Sequence, residues 1–210
     1  MIKAHFVDES MLILEKPEGM LSVPGRGEDK QECLWSHALE QWPDALIVHR
    51  LDCATSGLMV LARSKEAHRN LSIQFQNRVP FKRYAALLDG DLGRQDGWVD
   101  QKMRCDWERR PIQIIDHEQG KNALTFYTNQ GIESYKGRTV TRVSLYPITG
   151  RSHQLRVHAQ FLGHAIMGDN FYAEEDAQQI ANRLMLHADL LELEHPVTGE
   201  RLSFTSPAPF

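Results

Sequence analysis

Short apolar runs, each closed by turn-forming residues, dominate this chain, and helical spacing is confined to a few stretches. Ile2 to Val7 and Met11 to Leu14 read as strands, followed by the turns Asp8-Glu9-Ser10 and Lys16-Pro17-Glu18-Gly19. Leu34 to Gln41 sets Leu34, Ala38, Leu39 and Trp42 on one side, which predicts a helix that Pro43 ends. Ala45 to Val48 is a short buried strand that ends at His49-Arg50-Leu51-Asp52. Thr55-Ser56-Gly57 is the expected turn, and Leu58 to Ala62 resumes as strand. Ser64 is the expected N-cap of a second helix, with Ala67, Leu71 and Phe75 inward and Pro80 as its breaker. Lys82 to Leu88 then reads as a strand carrying Tyr84.

The second half continues the theme. Gly90 to Asn122 is the least regular part, and a long loop or extended hairpin there implies a job for it. It contains Arg104-Cys105-Asp106-Trp107-Glu108-Arg109-Arg110-Pro111, bases around an aromatic. Ala123 to Thr128 and Val140 to Tyr146 are strand-like, and Thr141, Val143 and Leu145 alternate with Arg142 and Ser144 as one buried face. A third helix follows Gly150, with Ser152 expected to cap it, Leu155, Ala159 and Leu162 inward, and Gly163 as its left-handed stop. Leu184 to Ala188, Leu190 to Leu193 and Arg201 to Thr205 close the chain as strands. The pattern predicts an α+β protein with a mostly antiparallel sheet.

Composition narrows the class without choosing a function. The chain has 210 residues, enough for one large domain or two small ones, and its 41% hydrophobic and 25% charged residues are ordinary for a soluble globular protein. No run is long enough to cross a membrane, no secretory signal pattern opens the chain, and cytoplasm is the default location. Cys33, Cys53 and Cys105 are odd in number and far apart, so neither a disulfide framework nor a zinc knuckle is indicated. The net charge of -4 argues weakly against a nucleic-acid binder, but its distribution matters more. Arg63, Lys65, Arg69, Arg78, Lys82 and Arg83 face only Glu66, and Lys136, Arg138, Arg142, Arg151 and Arg156 share a stretch without acids. Acids gather at Glu28-Asp29, Glu174-Glu175-Asp176 and Glu192 to Glu194. A solvated face explains either basic stretch alone; both together, each beside a polar segment, predict a basic cleft with an acidic back.

Those two polar segments carry the candidate chemistry. Asp52 lies past an apolar run and before a turn, partly desolvated yet reachable. Burial alone would protonate it, and a nearby arginine would hold it ionised. Arg151, at a strand-to-helix junction, is the expected partner; the plain alternative is an aspartate bonded only to its own turn. His153 and His158 stand about 140° apart around a helix, so they do not chelate a metal together. Pro24-Gly25-Arg26-Gly27 lacks the Lys-Ser/Thr of a phosphate loop, and no Gly-x-Ser-x-Gly elbow occurs.

His49-Arg50-Leu51-Asp52-Cys53-Ala54-Thr55-Ser56-Gly57 resembles the catalytic motif of the RluA-like pseudouridine synthases. Lys16-Pro17-Glu18-Gly19 is similar to the first motif of that family, and Lys82-Arg83-Tyr84 to its tyrosine-bearing strand. Pro147 to His158, through Gly150-Arg151-Ser152-His153-Gln154-Leu155-Arg156, resembles its arginine motif, and Gly168-Asp169-Asn170-Phe171-Tyr172 and Leu186-His187-Ala188 follow in order. The likeness spans nearly the whole chain.

The resemblance implies a pseudouridine synthase catalytic fold: a bifurcated, mostly antiparallel sheet with flanking helices around a central RNA-binding cleft. Residues 1–210 would be a single catalytic domain without the N-terminal S4-like domain of many relatives. It implies isomerisation of uridine in structured RNA, large-subunit ribosomal RNA or the tRNA anticodon stem-loop or both. No cofactor, metal or obligate protein partner is expected. Asp52 would be the catalytic carboxylate, attacking the sugar or supporting glycosidic cleavage, with Arg151 as ion-pair partner. Tyr84 would stack on the flipped uracil and Leu155 would pack beneath it. His49, Arg50, Thr55, His153, Gln154 and Arg156 are expected at the substrate, and Arg109 and Arg110 on an RNA-gripping loop. Two rivals remain at this point. One is a non-catalytic RNA-binding or chaperone module on the same fold. The other is a hydrolase using Asp169 as a second carboxylate to activate water.

Overall fold

The computed structural model describes residues 2–93 and 96–210, apart from the side chain of Asp29; residues 94 and 95 of the irregular stretch, and the acid at position 29, lie outside the described residues. The first part runs β1 (Lys3–Val7), β2 (Met11–Lys16), α1 (Leu34–Gln41), β3 (Leu46–Ile47), β4 (Ser56–Ala62) and α2 (Lys65–Gln76). Then come β5 (Phe81–Asp89), β6 (Asp96–Asp100), β7 (Met103–Cys105), β8 (Gln113–Ile115), β9 (Leu124–Tyr135) and β10 (Arg138–Pro147). The last part is α3 (Gln154–Phe161), α4 (Glu175–Ile180), β11 (Leu186–Glu194) and β12 (Arg201–Thr205). The predicted α+β class and the dominance of antiparallel pairing hold.

The chain forms two compact units, Met1–Lys82 with His187–Pro209, and Arg83–Leu186 with Phe210. In the first, β4 is buried at every position and pairs antiparallel with β2 along its length. Its other edge is shared: β11 pairs parallel with Ser56 and Gly57, and β3 pairs antiparallel with Leu61 and Ala62. The sheet therefore divides along β4. Gly57 (φ +118°) stands at the division, where a Cβ would lie 2.3 Å from the Ala188 carbonyl oxygen, so only glycine lets the strands approach. Leu58, Val60 and Ala62 pack with Met11, Ile13, Leu191 and Leu193 against Ala67 and Leu71 of α2. Ser64 caps that helix as its sequence predicts, its Oγ accepting the Ala67 N–H at 3.1 Å.

In the second unit β5, β10, β9 and β6 form an antiparallel run, and β7 and β8 make a separate hairpin. Within the irregular stretch β6 thus joins the main sheet, while β7 and β8 form a short hairpin with Asp106-Trp107-Glu108-Arg109-Arg110-Pro111 in its tip. Thr141, Val143 and Leu145 are buried and Arg142 and Ser144 are not, the alternation expected of β10. Several expectations shift: the strands expected at Leu184 to Ala188 and Leu190 to Leu193 are one strand, β11, and the buried strand expected at Ala45 to Val48 is the short, half-buried β3. The turn after Asp52 falls on Cys53-Ala54, closed by the Thr55 N–H on the Asp52 carbonyl at 3.1 Å, and Ser56 already belongs to β4. Ser152 does not cap α3. His153 is its N-cap, in the left-handed region at φ 53° and without a side-chain cap bond. Gly163 (φ +83°) ends the same helix in the left-handed conformation, as predicted.

Candidate active site

Residues around Asp52 are fastened one by one within the first unit. Past Ile47 the strand ladder of β3 ends, so the following backbone needs other partners. His49 Nε2 accepts the Val60 N–H at 3.1 Å, on the stretch of β4 edge that β11 and β3 leave open, and its ring stacks on Phe75 at 4.5 Å. Desolvation, helped by the Lys82 charge, pushes its pKa down to about 3, so it is a neutral acceptor. Burial also pulls Lys82 below the ordinary lysine range. Leu51 is held at both backbone groups by Ser22 Oγ, 3.0 Å from its N–H and 2.8 Å from its carbonyl. The Cys53 carbonyl accepts from Lys16 Nζ at 2.9 Å, while Lys16, fully buried, also donates to the Pro17 and Met20 carbonyls. Ser56 Oγ lies 2.7 Å from Nδ1 of buried His187, whose Nε2 is 3.1 Å from the Ser206 carbonyl. That carbonyl only accepts, so Nε2 carries the proton and Ser56 donates to Nδ1. Among these fastened neighbours the Asp52 carboxylate is half-buried, with no side chain of its own unit bonded to it among the described residues. Arg50 beside it is exposed.

The arginine segment of the second unit is organised by burial. Gln154 is buried, and its Oε1 accepts the Arg151 N–H at 3.0 Å and the Thr149 hydroxyl at 2.7 Å. Its Nε2 donates to the Leu124 carbonyl and to Thr125 Oγ1. Arg156 is 2% exposed and forms a two-pronged pair with Asp169, itself 0% exposed, at 2.7 and 2.6 Å. Arg151 stays exposed, its Nε bonded to the Asn122 carbonyl at 3.1 Å. His153 Nδ1 is 2.7 Å from the Tyr172 hydroxyl, which accepts the Gln113 N–H at the base of β8. Leu155 is buried, and Tyr84, in the same unit, is half-buried on β5 opposite Leu145.

This geometry revises several expectations. Gln154 and Arg156, expected at the substrate, are buried, with their polar atoms bonded inside their own unit. Thr55 is also buried, its N–H spent on the turn, and His49 is a bond acceptor for β4. Asp169 is enclosed by Arg156 and by the N–H groups of Phe171 and Tyr172, so it cannot activate water and the hydrolase reading loses its second carboxylate. The basic stretches are weaker than their spelling. Arg63 pairs with Asp44, Arg138 with Asp89 and Arg142 with Glu133, so that Lys65, Arg69, Arg78, Lys136 and Arg151 are the exposed cations of these stretches without an ion pair among the described residues. At the hairpin tip Arg109 pairs with Asp106, and the Arg110 guanidinium sits 4.1 Å over the exposed Trp107 ring.

Ser22 escapes a sequence reading because its partner, Leu51, is distant in the chain, and the contacts of Tyr172 and His187, though both lie in named motifs, are equally distant. Lys16 was marked in the sequence by the Lys16-Pro17-Glu18-Gly19 motif, but not the burial that lets it hold the Cys53 carbonyl. Among the described residues no group of His, Cys, Asp and Glu could hold a metal, and no helix is long and apolar enough to cross a membrane.

A family model described as RNA pseudouridylate synthase matches residues 10–161. The chain is 44% identical over 205 residues to the dual-specificity RNA pseudouridine synthase RluA of Escherichia coli K12, covering 98% of this chain and 92% of that protein. It is 46% identical to the protein of the same name from Vibrio parahaemolyticus, covering 98% and 82%. Among solved structures, human RNA pseudouridylate synthase domain containing 1 superposes with a TM-score of 0.85 at 29% identity, covering 100% of this chain and 84% of that one. Human RNA pseudouridylate synthase domain containing 4 shares the fold, with a TM-score of 0.75 at 24% identity over 98% and 88%. The chain belongs to the RNA pseudouridylate synthase family, as an RluA-like isomerase that converts uridine in RNA to pseudouridine.

Proposed function

We propose that the substrates are structured RNAs, uridines of large-subunit ribosomal RNA and of the tRNA anticodon stem-loop, and that residues 1–210 act as one catalytic domain in the cytoplasm without an obligate protein partner. The relatives called dual-specificity support more than one RNA target. Asp52 is the catalytic carboxylate, Arg151 its partner in the RNA-loaded enzyme, and Tyr84 the ring on which the flipped uracil stacks. The carrying observation is the contrast at Asp52: a half-buried acid whose neighbours on both sides have bonded backbone groups, while among the described residues no side chain of its own unit bonds its carboxylate. Such a carboxylate is ordered before substrate arrives, the condition for positioning to lower a barrier.

A uracil in a stem or stacked loop is out of reach, and extruding it costs a few kcal/mol. Stacking on Tyr84 returns about 1–3 kcal/mol by analogy with other base–aromatic contacts. The N-glycosidic bond then breaks, the uracil turns, and a carbon–carbon bond to the sugar forms. The exposed Arg50 adjoins Asp52 and supports a role in the space the base leaves. Arg109, Arg110 and Trp107 supply an exposed cationic and aromatic tip suited to RNA. His153, half-buried at the start of α3, belongs to the same proposed RNA surface. Tritium release from RNA labelled at uracil C5, measured on ribosomal RNA and on tRNA separately, tests the proposal. Release from neither RNA removes the substrate assignment, and release from one alone removes the dual one.

A further inference from the structure

We propose that Ser22 is a positioning residue for the isomerisation: its hydroxyl sets the place of Asp52 by holding both backbone groups of Leu51, and it transmits to them the rigidity of α1. The inference rests on the reading of Asp52 as the catalytic carboxylate.

Leu51 is buried and lies beyond the end of β3, so neither its N–H nor its carbonyl has a strand partner. A buried backbone group left without a partner is costly, and two adjacent ones would let the segment shift toward any alternative. Ser22 resolves both at once. Its oxygen accepts the Leu51 N–H at 3.0 Å and its proton goes to the Leu51 carbonyl at 2.8 Å. A hydroxyl is the smallest side-chain group that donates and accepts at one atom, and Ser22 is itself buried, so water does not compete. The next residue along is Asp52, whose carbonyl closes the turn with Thr55.

A clasp positions only as well as it is itself held. The Leu21 and Ser22 carbonyls accept the Leu34 and Trp35 N–H groups at 2.8 and 3.3 Å. These are first-turn donors of α1, which have no partner inside the helix. Leu21 also bridges to Cys33, the N-cap, and Cys33 and Ser36 exchange a capping box. Trp35 Nε1 donates to the Ala45 carbonyl at 2.8 Å, tying the same helix to the chain that leads into β3. Both ends of the path to Asp52 are thus fixed to α1, and Ser22 Oγ is the link between helix and catalytic segment. Lys16 anchors the opposite neighbour, Cys53.

Comparing Ser22→Val with Ser22→Thr isolates the hydroxyl, because both add similar bulk at the same site. Single-turnover tritium release per folded enzyme, RNA affinity and amide hydrogen exchange at Leu51 are measured for both, with Asp52→Asn alongside. Ser22→Val should react ~10²-fold more slowly with affinity within about twofold, as expected for a misplaced reacting group, and Ser22→Thr should stay within about threefold of wild type. Leu51 exchange should accelerate in the Val variant alone, while β4 stays protected. Equal slowing in both variants, a defect confined to RNA affinity, or wild-type turnover in Ser22→Val with Asp52→Asn inactive would each overturn the role of Ser22. Activity in Asp52→Asn would instead remove the reading beneath it. If Ser22→Val does not fold, slow exchange at Leu51 in wild type together with normal turnover of Ser22→Thr supports the clasp, and fast exchange there overturns it.

Discussion

The Asp52 and Arg151 segments are fixed by the same device built at different ranges. Gln154 takes the Arg151 N–H on its side chain and gives its own N–H to the Arg151 carbonyl at 3.2 Å, a clasp closed within three residues. Ser22 does the same to Leu51 across twenty-nine residues. The Gln154 clasp is closed within its motif, although Gln154 itself is anchored to Leu124 and Thr125 thirty and twenty-nine residues away. The Asp52 segment borrows its geometry from Lys16, Ser22 and His187, and is placed only when the first unit has folded. In both, the polar neighbours of the proposed working group are largely buried and bonded within their own unit.

The sharpest test removes the charge at Asp52. Asp52→Asn should lower pseudouridine formation by ~10³-fold or more while leaving RNA affinity within several-fold, since nucleophilic or charge-supported cleavage is lost and phosphate contacts are not. Product assay and filter binding on one preparation check this, and substantial product would end the assignment. Arg151→Met should also cripple turnover, and adding it to Asp52→Asn should cost nothing further if the two act as a unit.

Arg156 provides the counter-case, a cation of the same motif that is buried in an ion pair with Asp169. Arg156→Met leaves Asp169 as an uncompensated buried charge and should cost about 3–5 kcal/mol of stability, whereas Arg151→Met should change the urea midpoint little. Equal destabilisation by the two variants would erase the division between buried and exposed arginines. Tyr84→Phe keeps the stacking face; a drop of ~10²-fold assigns acid–base work to the hydroxyl, and near-wild-type turnover with a dead Tyr84→Ala leaves stacking alone.

Smaller effects are expected at the periphery. Arg109→Ala with Arg110→Ala should weaken RNA binding and reduce the slope of log affinity against log salt by about 0.7 for each lost single-strand phosphate contact, with the fold intact. Two histidines whose pKa is pushed down by desolvation predict a pH effect of defined sign. His49 is held at about 3, and burial pushes His158 down to about 4, so both stay neutral in the folded chain where the unfolded chain binds protons. Their contribution is complete above pH 6.5 and is lost as pH falls toward those values. Glu15 adds an acid limb lower down. Burial opposes its charge, but bonds from Ser206, His5 and Lys3 outweigh that and hold it at about 2, so its contribution fades only below its ordinary 4.5. Urea midpoints should therefore already fall between pH 6.5 and 4.5, and His158→Gln should flatten that part of the curve.

What the sequence determined by itself was local in character. Helix limits at Leu34–Gln41, the Ser64 cap, the alternation of β10 and the Gly163 stop follow from periodicity and capping, which act within a turn or two. Ordered motifs carried the family likewise. The failures share one cause. Ser152 was read as a cap from its residue type, yet Gln154 and His153 set the start of α3 through bonds to Leu124, Thr125 and Tyr172. The bases of the two positive stretches looked unopposed because the acids that neutralise them, Asp44, Asp89, Glu133 and Asp169, lie elsewhere in the chain or just outside the stretch. Hydrophobic periodicity reports which face is buried, but a hydrogen bond or ion pair between residues tens of positions apart leaves no periodic trace. Only the tertiary structure could therefore separate the residues that hold the site from those exposed to meet RNA.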